Sequence, residues 1–153
     1  MISCRKVEEK DSELLFRWAN DPVTRANSYN TAQISREDHE QWFGKKIKDP
    51  NTRIYIFSDD TTPLGTVQIE QKPNECVIGI SVDKDQRGRG LAKSMLAIAC
   101  RNFLEEVPGA PIFAYIKTDN KASYNSFERA GFHLIDTLEV HGSKSYKMKY
   151  SNE

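Results

Sequence analysis

The chain has 153 residues, which suits one domain with a proper hydrophobic core, and its 22 Lys and Arg residues balance 22 Asp and Glu residues. A formal net charge of zero argues against a broad nucleic-acid or anionic-membrane surface, and no apolar run approaches membrane-spanning length. The three cysteines are scattered and no His, Cys or acidic cluster has ligand spacing, so we expect one cytoplasmic domain over residues 1–153, without a metal.

The first third of the chain predicts a strand, two helices and a long loop. Ile2 to Val7 alternates weakly, as an edge strand does, and a helix is expected from Glu8 to Ala19. Asn20-Asp21-Pro22 should end this helix, because a residue before proline disfavours helical backbone. Residues 23–34 show no clean period and are expected to form a loop. Ser35 then fits the N-cap of a helix over 38–48.

The remaining elements alternate between strands and helices. Glycine, proline and polar clusters separate apolar runs that are typical of strands, and two longer runs have helical spacing. The predicted strands cover residues 52–58, 64–70, 77–82, 112–117, 132–140 and 143–150, and the predicted helices cover 91–103 and 120–130. The three- and four-residue spacing of Leu91, Met95, Ile98 and Ala99 places these four residues on one face of the first of these helices. This order implies one mixed α/β sheet with helices on both faces.

A glycine-rich turn joins the central strand to the longest predicted helix. Arg87-Gly88-Arg89-Gly90 stands directly before the helical run. The first N–H groups of a helix have no partner inside it, and the helix dipole makes that end positive. Glycines allow close approach of a phosphate, so this turn predicts an anion site. It lacks the closing Lys-Ser/Thr of a P-loop and the third glycine of the dinucleotide fingerprint.

Two motifs together resemble the GNAT superfamily of N-acetyltransferases. Residues 87–92, RGRGLA, fit the pattern Arg/Gln-x-x-Gly-x-Gly/Ala of the family's acetyl-CoA pyrophosphate loop. Asn120 and Ser123, followed by Phe127 and then Gly131-Phe132, resemble a second family segment that comes later in the chain. The resemblance covers essentially the whole chain and implies a single-domain GNAT fold.

The resemblance also implies acetyl-CoA as co-substrate and a set of residues that hold it. The family's central strand diverges from its neighbour, and its exposed backbone groups bind the pantetheine arm and polarise the thioester carbonyl. Asn120 matches the side chain that contacts this arm, and it can cap the following helix at the same time. The implied cofactor-binding residues are Ile80, Ser81, Val82, Arg87, Gly88, Arg89, Gly90, Leu91, Ala92, Asn120 and Phe127.

The groups that move protons are less determined by the sequence. Many family members carry tyrosine at the position of Phe127, and phenylalanine cannot donate a proton. Tyr124, three residues earlier, is a candidate acid, and a water molecule is the alternative acid. Tyr124 could instead be a residue that only packs against its neighbours. Glu75, Ser81 and Glu70 are candidate bases near the expected cleft. His39 and His133 are further alternatives, and a structural role is the more common one for each.

The N-terminal third suggests the acceptor. Its series of aromatic, Asn, Arg and His residues is similar to acetyltransferases that act on nucleotide-linked amino sugars, in particular the 4-amino-sugar enzyme of pseudaminic acid synthesis. Arg25, Tyr29, Asn30 and His39 are the expected acceptor contacts, and Arg25 could hold a diphosphate bidentately, whereas Trp18 and Trp42 are expected in the core. A ribosomal-protein-type N-terminal acetyltransferase and a non-catalytic acyl-CoA sensor are the competing functions. We expect a small-molecule amine as partner and leave a homodimer open.

Overall fold

One mixed sheet of seven strands organises the chain, and the computed structural model describes residues 1–151. The strand order is β1-β2-β3-β4-β5-β7-β6, and the pairs are antiparallel except for β4 with β5. The strands are β1 (Ile2–Lys6), β2 (Thr52–Asp59), β3 (Thr62–Gln71), β4 (Cys76–Val82), β5 (Ile112–Lys117), β6 (Phe132–Val140) and β7 (Ser143–Tyr150).

Five α-helices cover the two faces of this sheet. They are α1 (Ser12–Ala19), α2 (Pro22–Asn27), α3 (Arg36–Lys46), α4 (Leu91–Glu106) and α5 (Lys121–Arg129). The main core joins α4 and α5 to one face, and a smaller core joins α1 and α3 to the other face at β2. The predicted fold class is confirmed. Among residues 1–151, no helix combines the length and apolar character that a membrane crossing needs.

Helix α4 is buried on a wider face than its sequence spacing indicates. Met95 and Ala99 are fully buried, as expected from the three- and four-residue spacing. Leu96, Cys100 and Phe103 are fully buried as well, whereas the predicted Leu91 and Ile98 are only half-buried. The helix lies directly on the sheet, so the residues that face the strands, rather than the most apolar residues, determine the buried side.

The predicted loop at residues 23–34 is wrong in its first part, because Pro22–Asn27 forms helix α2. The Asp21 carboxylate accepts hydrogen bonds from the backbone N–H groups of Val23 and Thr24, at 3.1 and 3.2 Å. Proline fits the first position of a helix, since its missing N–H would have no partner there. Asp21-Pro22 therefore ends one helix and begins the next, and only the ending was predicted.

A buried carboxylate anchors the turn that leads into α1. The Asp11 side chain is 5% exposed and accepts two hydrogen bonds from the Arg5 guanidinium, at 2.7 and 2.8 Å. It also accepts the backbone N–H of Glu8 at 2.7 Å. The hydrogen bonds from Arg5 are the main reason why the pKa of Asp11 lies below its ordinary value of 3.8. The charged form of Asp11 therefore stabilises the fold.

Replacing Asp11 with asparagine should lower the free energy of unfolding at neutral pH by about 1–3 kcal/mol, because the Arg5 charge loses its buried partner. Since folding lowers this pKa, the stabilisation is complete above pH 3.8 and is lost as the pH falls through the folded-state value. Urea unfolding measures the free energy of unfolding of the wild type and of Asp11→Asn between pH 7 and 3. The difference between the two proteins should shrink as the pH falls. Asp60→Asn changes a carboxylate in an exposed turn and is the control. Its free energy of unfolding should equal that of the wild type over the same pH range.

Candidate active site

Strands β4 and β5 separate soon after they begin. They are paired only at Cys76 with Ile112 and at Val77 with Phe113, although both strands continue for four or five more residues. On its other edge β4 is paired with β3 along its whole length, from Cys76 to Val82. The later part of β4 therefore has one edge without a strand partner, as the family resemblance predicts. A ligand with amide groups can add to this edge.

One side of β4 is also open. Ile78, Ile80 and Val82 belong to or contact the main core under α4, so the alternate residues Val77, Gly79 and Ser81 lie on the opposite side. Gly79 is exposed there, and a Cβ at this position would meet nothing within 4 Å. We call this side of the sheet along β4, β5 and β7 the open face. The expected thioester position along Ile80–Val82 can thus be approached from the open face.

The glycine turn leads from β4 into α4 as predicted. Gly88 and Gly90 have φ of 80° and 72°, the left-handed region that side chains disfavour, and a Cβ at either position would meet nothing within 4 Å. Gly90 is the N-cap of α4 and offers no side chain to the first N–H groups of the helix. The turn is therefore an open cradle of backbone donors at the positive end of a 16-residue helix, which fits a diphosphate.

The two arginines of the turn already have partners. Arg87 donates to the Asp21 carboxylate at 2.6 Å, and Arg89 donates to the side-chain oxygen of Gln86. Burial alone would raise the pKa of Asp21, but the Arg87 ion pair and the N–H groups of α2 outweigh it, and the pKa is lowered. The same carboxylate thus caps α2 and fixes Arg87 of the cradle. Asp21 was not among the predicted site residues.

A second contact ties α1 to the end of β4. The indole Nε1 of Trp18 donates to the Asp83 carboxylate at 2.8 Å, and Arg17 lies 3.6 Å from the same oxygen. Burial opposes ionisation of Asp83, but the hydrogen bond from Trp18 and the nearby positive charges outweigh it, so its pKa is lowered. Trp18 is 4% exposed and belongs to the smaller core, as expected. Its one polar atom still connects this core to the residues before the cradle.

Helix α5 places the second motif on the α4 side of the sheet. Asn120 caps the helix, since its Oδ1 accepts the N–H of Ser123 at 3.2 Å. Among residues 1–151, the Asn120 Nδ2 group has no hydrogen-bond partner and can donate to a ligand. Phe127 is 3% exposed and packs edge-on against Phe132 in the core, with ring centroids 5.0 Å apart. Its position is that of a packing residue.

Tyr124 lies at the border of the main core. It is half-buried, and its ring packs edge-on against Tyr146 at 4.9 Å. Within residues 1–151 its hydroxyl makes no hydrogen bond that would hold it in the core. The hydroxyl is thus available for a ligand, and the role of Tyr124 as an acid stays a prediction.

The candidate bases differ in their surroundings. Glu75 precedes β4 and accepts a 2.5 Å hydrogen bond from the Tyr115 hydroxyl. Burial and the negative charge of Glu75 together raise the pKa of Tyr115 to about 12. Ser81 is half-buried on the open face, whereas Glu70 is paired with Lys46 at 3.2 Å. Glu70 is therefore held in an ion pair, Glu75 is hydrogen-bonded to Tyr115 at the start of β4, and Ser81 lies beside the expected reaction site.

The predicted acceptor residues lie in and after α2, and the structure gives them different surroundings. The Arg25 guanidinium donates to the backbone carbonyls of Ala19 and Asn30, at 2.8 and 2.9 Å, and to the Ser28 hydroxyl at 3.0 Å. Arg25 lies in a helix, and most of its donors bind its own segment. This placement favours a structural role for Arg25 over contact with a diphosphate.

Tyr29 and Asn30 lie in the segment that follows α2. The Tyr29 hydroxyl pairs with the Ser145 hydroxyl at 2.7 Å, which ties this segment to β7 across the open face. Lys117 donates to the Ala26 carbonyl at 3.4 Å beside it. Asn30 accepts the N–H of Ala32 through its side chain. Tyr29 thus borders the open face, where an acceptor would contact it.

The two histidines considered as alternative bases have different surroundings. His39 is 3% exposed, contacts the Ser12 carbonyl at 2.9 Å and stacks on Phe43 with ring centroids 6.0 Å apart. This burial favours a structural role over the predicted acceptor contact. His133 lies exposed on the edge strand β6. Over residues 1–151, no three His, Cys, Asp or Glu side chains are grouped as metal ligands would be.

Several residues on the open face were missed by the sequence prediction. Phe113 and Tyr115 of β5 lie beside Lys147 and Lys149 of β7, because Phe113 pairs with Lys149 and Tyr115 pairs with Lys147. Each strand carries these residues at alternate positions, which places them on one side of the sheet. The alternation is visible in the sequence, but the pairing of β5 with β7 that joins the two pairs is not.

The close approach of β3 to β4 depends on Gly65. A Cβ on Gly65 would lie 2.3 Å from the Ser81 carbonyl oxygen and 2.8 Å from the Met95 Cε atom. We expect Gly65→Ala to lower the free energy of unfolding by roughly 1–3 kcal/mol, because it overfills a packed site, and to weaken acetyl-CoA binding through the displaced Ser81 backbone. Chemical unfolding and calorimetry measure the two effects.

Gly79→Ala is the matched control for that substitution. Gly79 lies on the neighbouring strand, and its Cβ would meet nothing within 4 Å. Its free energy of unfolding should match that of the wild type. Equal stabilities for Gly65→Ala and Gly79→Ala would contradict the proposed close contact at Ser81.

Sequence comparison identifies the family. A family model described as an acetyltransferase (GNAT) domain matches residues 2–133. An uncharacterized N-acetyltransferase of Bacillus subtilis strain 168, YfmK, is 25% identical over 134 residues, which cover 86% of this chain and 84% of that protein. A mycothiol acetyltransferase of Mycolicibacterium vanbaalenii is 24% identical over 116 residues. These cover 71% of this chain but only 37% of that relative.

Solved structures share the fold at low sequence identity. Spermidine N-acetyltransferase from Vibrio cholerae, in complex with CoA and spermine, superposes with a TM-score of 0.86 at 16% identity, over 97% of this chain and 94% of that one. The AAC(6')-Ib structure in complex with acetyl-CoA gives a TM-score of 0.84 at 17% identity, over 99% and 93% of the two chains. Both similarities concern the fold.

Proposed function

Since this chain belongs to the GNAT acetyltransferase family, we propose that it transfers the acetyl group of acetyl-CoA to a primary amine of a nucleotide-activated amino sugar. The chain is an N-acetyltransferase, and acetyl-CoA is its co-substrate. The observation that carries the acetyl transfer is the separation of β4 from β5 next to the glycine cradle. The proposal adds the class of acceptor, a nucleotide-activated amino sugar, to this acetyltransferase activity.

The cradle and the free edge of β4 are assigned to the acetyl-CoA molecule. The N–H groups of residues 88–92 bind the diphosphate, because two left-handed glycines and the uncapped start of α4 direct donors outward. The backbone of residues 80–82 binds the pantetheine arm along the edge that β5 leaves free. When bound, acetyl-CoA supplies the activated acetyl group, and the residues of this chain hold the thioester beside the incoming amine.

Acetyl transfer requires a polarised carbonyl, a neutral amine and a protonated thiol product. Backbone N–H groups on the free edge of β4 stabilise negative charge on the carbonyl oxygen. Glu75 or Ser81, both beside the open face, accepts the proton of the incoming ammonium directly or through water. Tyr124 donates to the leaving sulfur in place of the family tyrosine, whose position Phe127 occupies.

The acceptor proposal is supported by the N-terminal third of the chain and by the charges on the open face. The segment from α1 to α3 resembles amino-sugar acetyltransferases, and its Tyr29 borders the open face. Lys117, Lys147 and Lys149 are also on this side of the sheet. A polycation such as the spermine of the Vibrio structure would meet these lysines unfavourably, whereas a phosphate-bearing amine would be attracted.

A panel of amine substrates, assayed by release of free CoA, tests the proposed function. UDP-linked amino sugars, free amino sugars, spermidine, kanamycin and N-terminal peptides are compared at saturating acetyl-CoA. We expect the highest kcat/KM for a nucleotide-linked sugar amine. A peptide as the best substrate would instead establish the N-terminal acetyltransferase alternative.

The non-catalytic alternative rests on Phe127, which removes the usual acid. Acetyl-CoA binding by calorimetry without turnover of any amine in the panel would support a sensor and contradict the proposal. Gly90→Val is the control in that calorimetry, because it alters only the cradle. Acetyl-CoA that binds specifically at the cradle should bind this variant more weakly, whereas nonspecific binding should not change.

A further inference from the structure

We infer that the side chains of Phe113, Tyr115, Lys147 and Lys149 form a subsite for the diphosphate of the acceptor. We call these four residues the lysine shelf. The inference rests on the proposed function for the link to acetyl transfer, but the subsite itself can be tested by binding alone. None of its residues was predicted from the sequence.

The lysine shelf is built by the pairing of β5 with β7. The Lys147 ammonium lies 4.6 Å from the ring centroid of Phe113 and 5.6 Å from that of Tyr115. The Lys149 ammonium lies 5.8 Å from the same Phe113 ring. Contact with an aromatic face holds an ammonium group in place without neutralising it. Two positive charges thus converge on one ring.

No carboxylate within residues 1–151 forms an ion pair with either lysine. Every salt bridge described by the structure involves other cations. Glu75, at the border of the shelf, is engaged by the Tyr115 hydroxyl. Lys147 and the two rings are half-buried, so the positive charge there is screened less than on an open surface. The shelf therefore attracts an anion.

The position of the shelf fits the reaction. Phe113 pairs with Val77, and Gly79 is exposed two residues further along β4, roughly 7 Å away along the strand. Residues 80–82 begin roughly 10 Å from Val77 along the strand, so an amine joined to a diphosphate through a sugar ring would extend from the shelf along the open face toward them. The converging ammonium groups suit two adjacent phosphates better than the separated carboxylates of an acidic peptide.

Titration of UDP into the protein saturated with CoA tests the subsite. CoA fills the cradle of residues 88–92, so UDP cannot bind there. We expect measurable UDP binding to the wild type and a dissociation constant about tenfold higher in Lys147→Met and in Lys149→Met, because each loses a charge-assisted hydrogen bond. Methionine keeps the apolar contact with the ring. Thermal unfolding verifies that each variant folds.

Lys144→Met is the matched control. Lys144 belongs to the same strand but is exposed on the other side of the sheet, so its UDP affinity should equal that of the wild type. Absence of UDP binding to the CoA-loaded wild type, or equal affinities in all four proteins, would overturn the subsite. Binding of an acidic peptide with the same lysine dependence, without UDP binding, would overturn it as well.

Kinetics separate this inference from the proposed acceptor. If UDP binding depends on Lys147 and Lys149 but no nucleotide-linked amine is acetylated, the subsite stands and the acceptor proposal fails. If such an amine is a substrate, its KM should rise about tenfold in Lys147→Met while the KM of a free amino sugar stays constant. An equal rise for both substrates would overturn the subsite while leaving the acetyltransferase activity intact.

Discussion

Replacing Gly90 with valine should raise the dissociation constant of acetyl-CoA by at least about tenfold while the fold is retained. Gly90 has φ of 72°, which a β-branched residue adopts only at a cost of roughly 1–3 kcal/mol, so the cradle must change shape. The valine side chain also fills space where phosphate has to approach. Calorimetry with acetyl-CoA measures the change, and thermal unfolding should show a cooperative transition whose Tm is lowered by only the several degrees that this backbone cost implies.

Gly109→Val is the control for backbone strain. Gly109 has a similar φ of 77° and equally open surroundings, but it follows the other end of α4, about 24 Å away along the helix axis. It should lose comparable stability and keep acetyl-CoA affinity. Unchanged affinity in Gly90→Val would contradict the assignment of the cradle to the diphosphate.

Tyr124→Phe should lower kcat by roughly 10²–10⁴-fold if the Tyr124 hydroxyl protonates the leaving thiolate. The affinity for acetyl-CoA should be preserved, because the ring keeps its edge-on contact with Tyr146. Release of CoA as a thiolate, or protonation by water, would reduce the loss to less than about tenfold. Steady-state kinetics at saturating acetyl-CoA distinguish these cases.

Two further variants sharpen this test. Tyr146→Phe removes the neighbouring hydroxyl and should leave kcat near the wild-type value, so a larger loss there than in Tyr124→Phe would exclude Tyr124 as the acid. Phe127→Tyr restores the family residue, but the ring is 3% exposed and contacts Phe132. Rescue of Tyr124→Phe by this change requires the new hydroxyl to leave the core and reach the sulfur.

Local patterns predicted the elements of this fold well. The strands Phe132–Val140 and Ser143–Tyr150 have their expected bounds, because the His141-Gly142 turn between two strand-like runs defines a hairpin locally. The start of α4 at Leu91 was equally clear from the preceding glycines. Helix α2 was missed, although Asp21-Pro22 is a recognisable N-terminal signal, because the proline was interpreted only as the end of α1.

Roles that depend on distant neighbours could not be predicted in the same way. Arg25 looked available for a phosphate, yet its donors bind backbone carbonyls of its own segment. His39 was expected to contact the acceptor, yet the fold encloses it among aromatic rings. The lysine shelf needs the pairing of β5 with β7, which joins residues more than thirty positions apart. Sequence patterns describe one element at a time, and these contacts arise between elements.

The brief pairing of β4 with β5 also divides the molecule dynamically. Within residues 1–151, only two β-ladder pairs join β1–β4 to β5–β7, so the core under α4 and a few side-chain hydrogen bonds, such as that of Tyr115 with Glu75, hold the halves together. Amide protons on the unpaired edge of β4 should exchange with deuterated solvent faster than those shared with β3. A ligand added to that edge would slow their exchange and stiffen the two half-sheets into one unit.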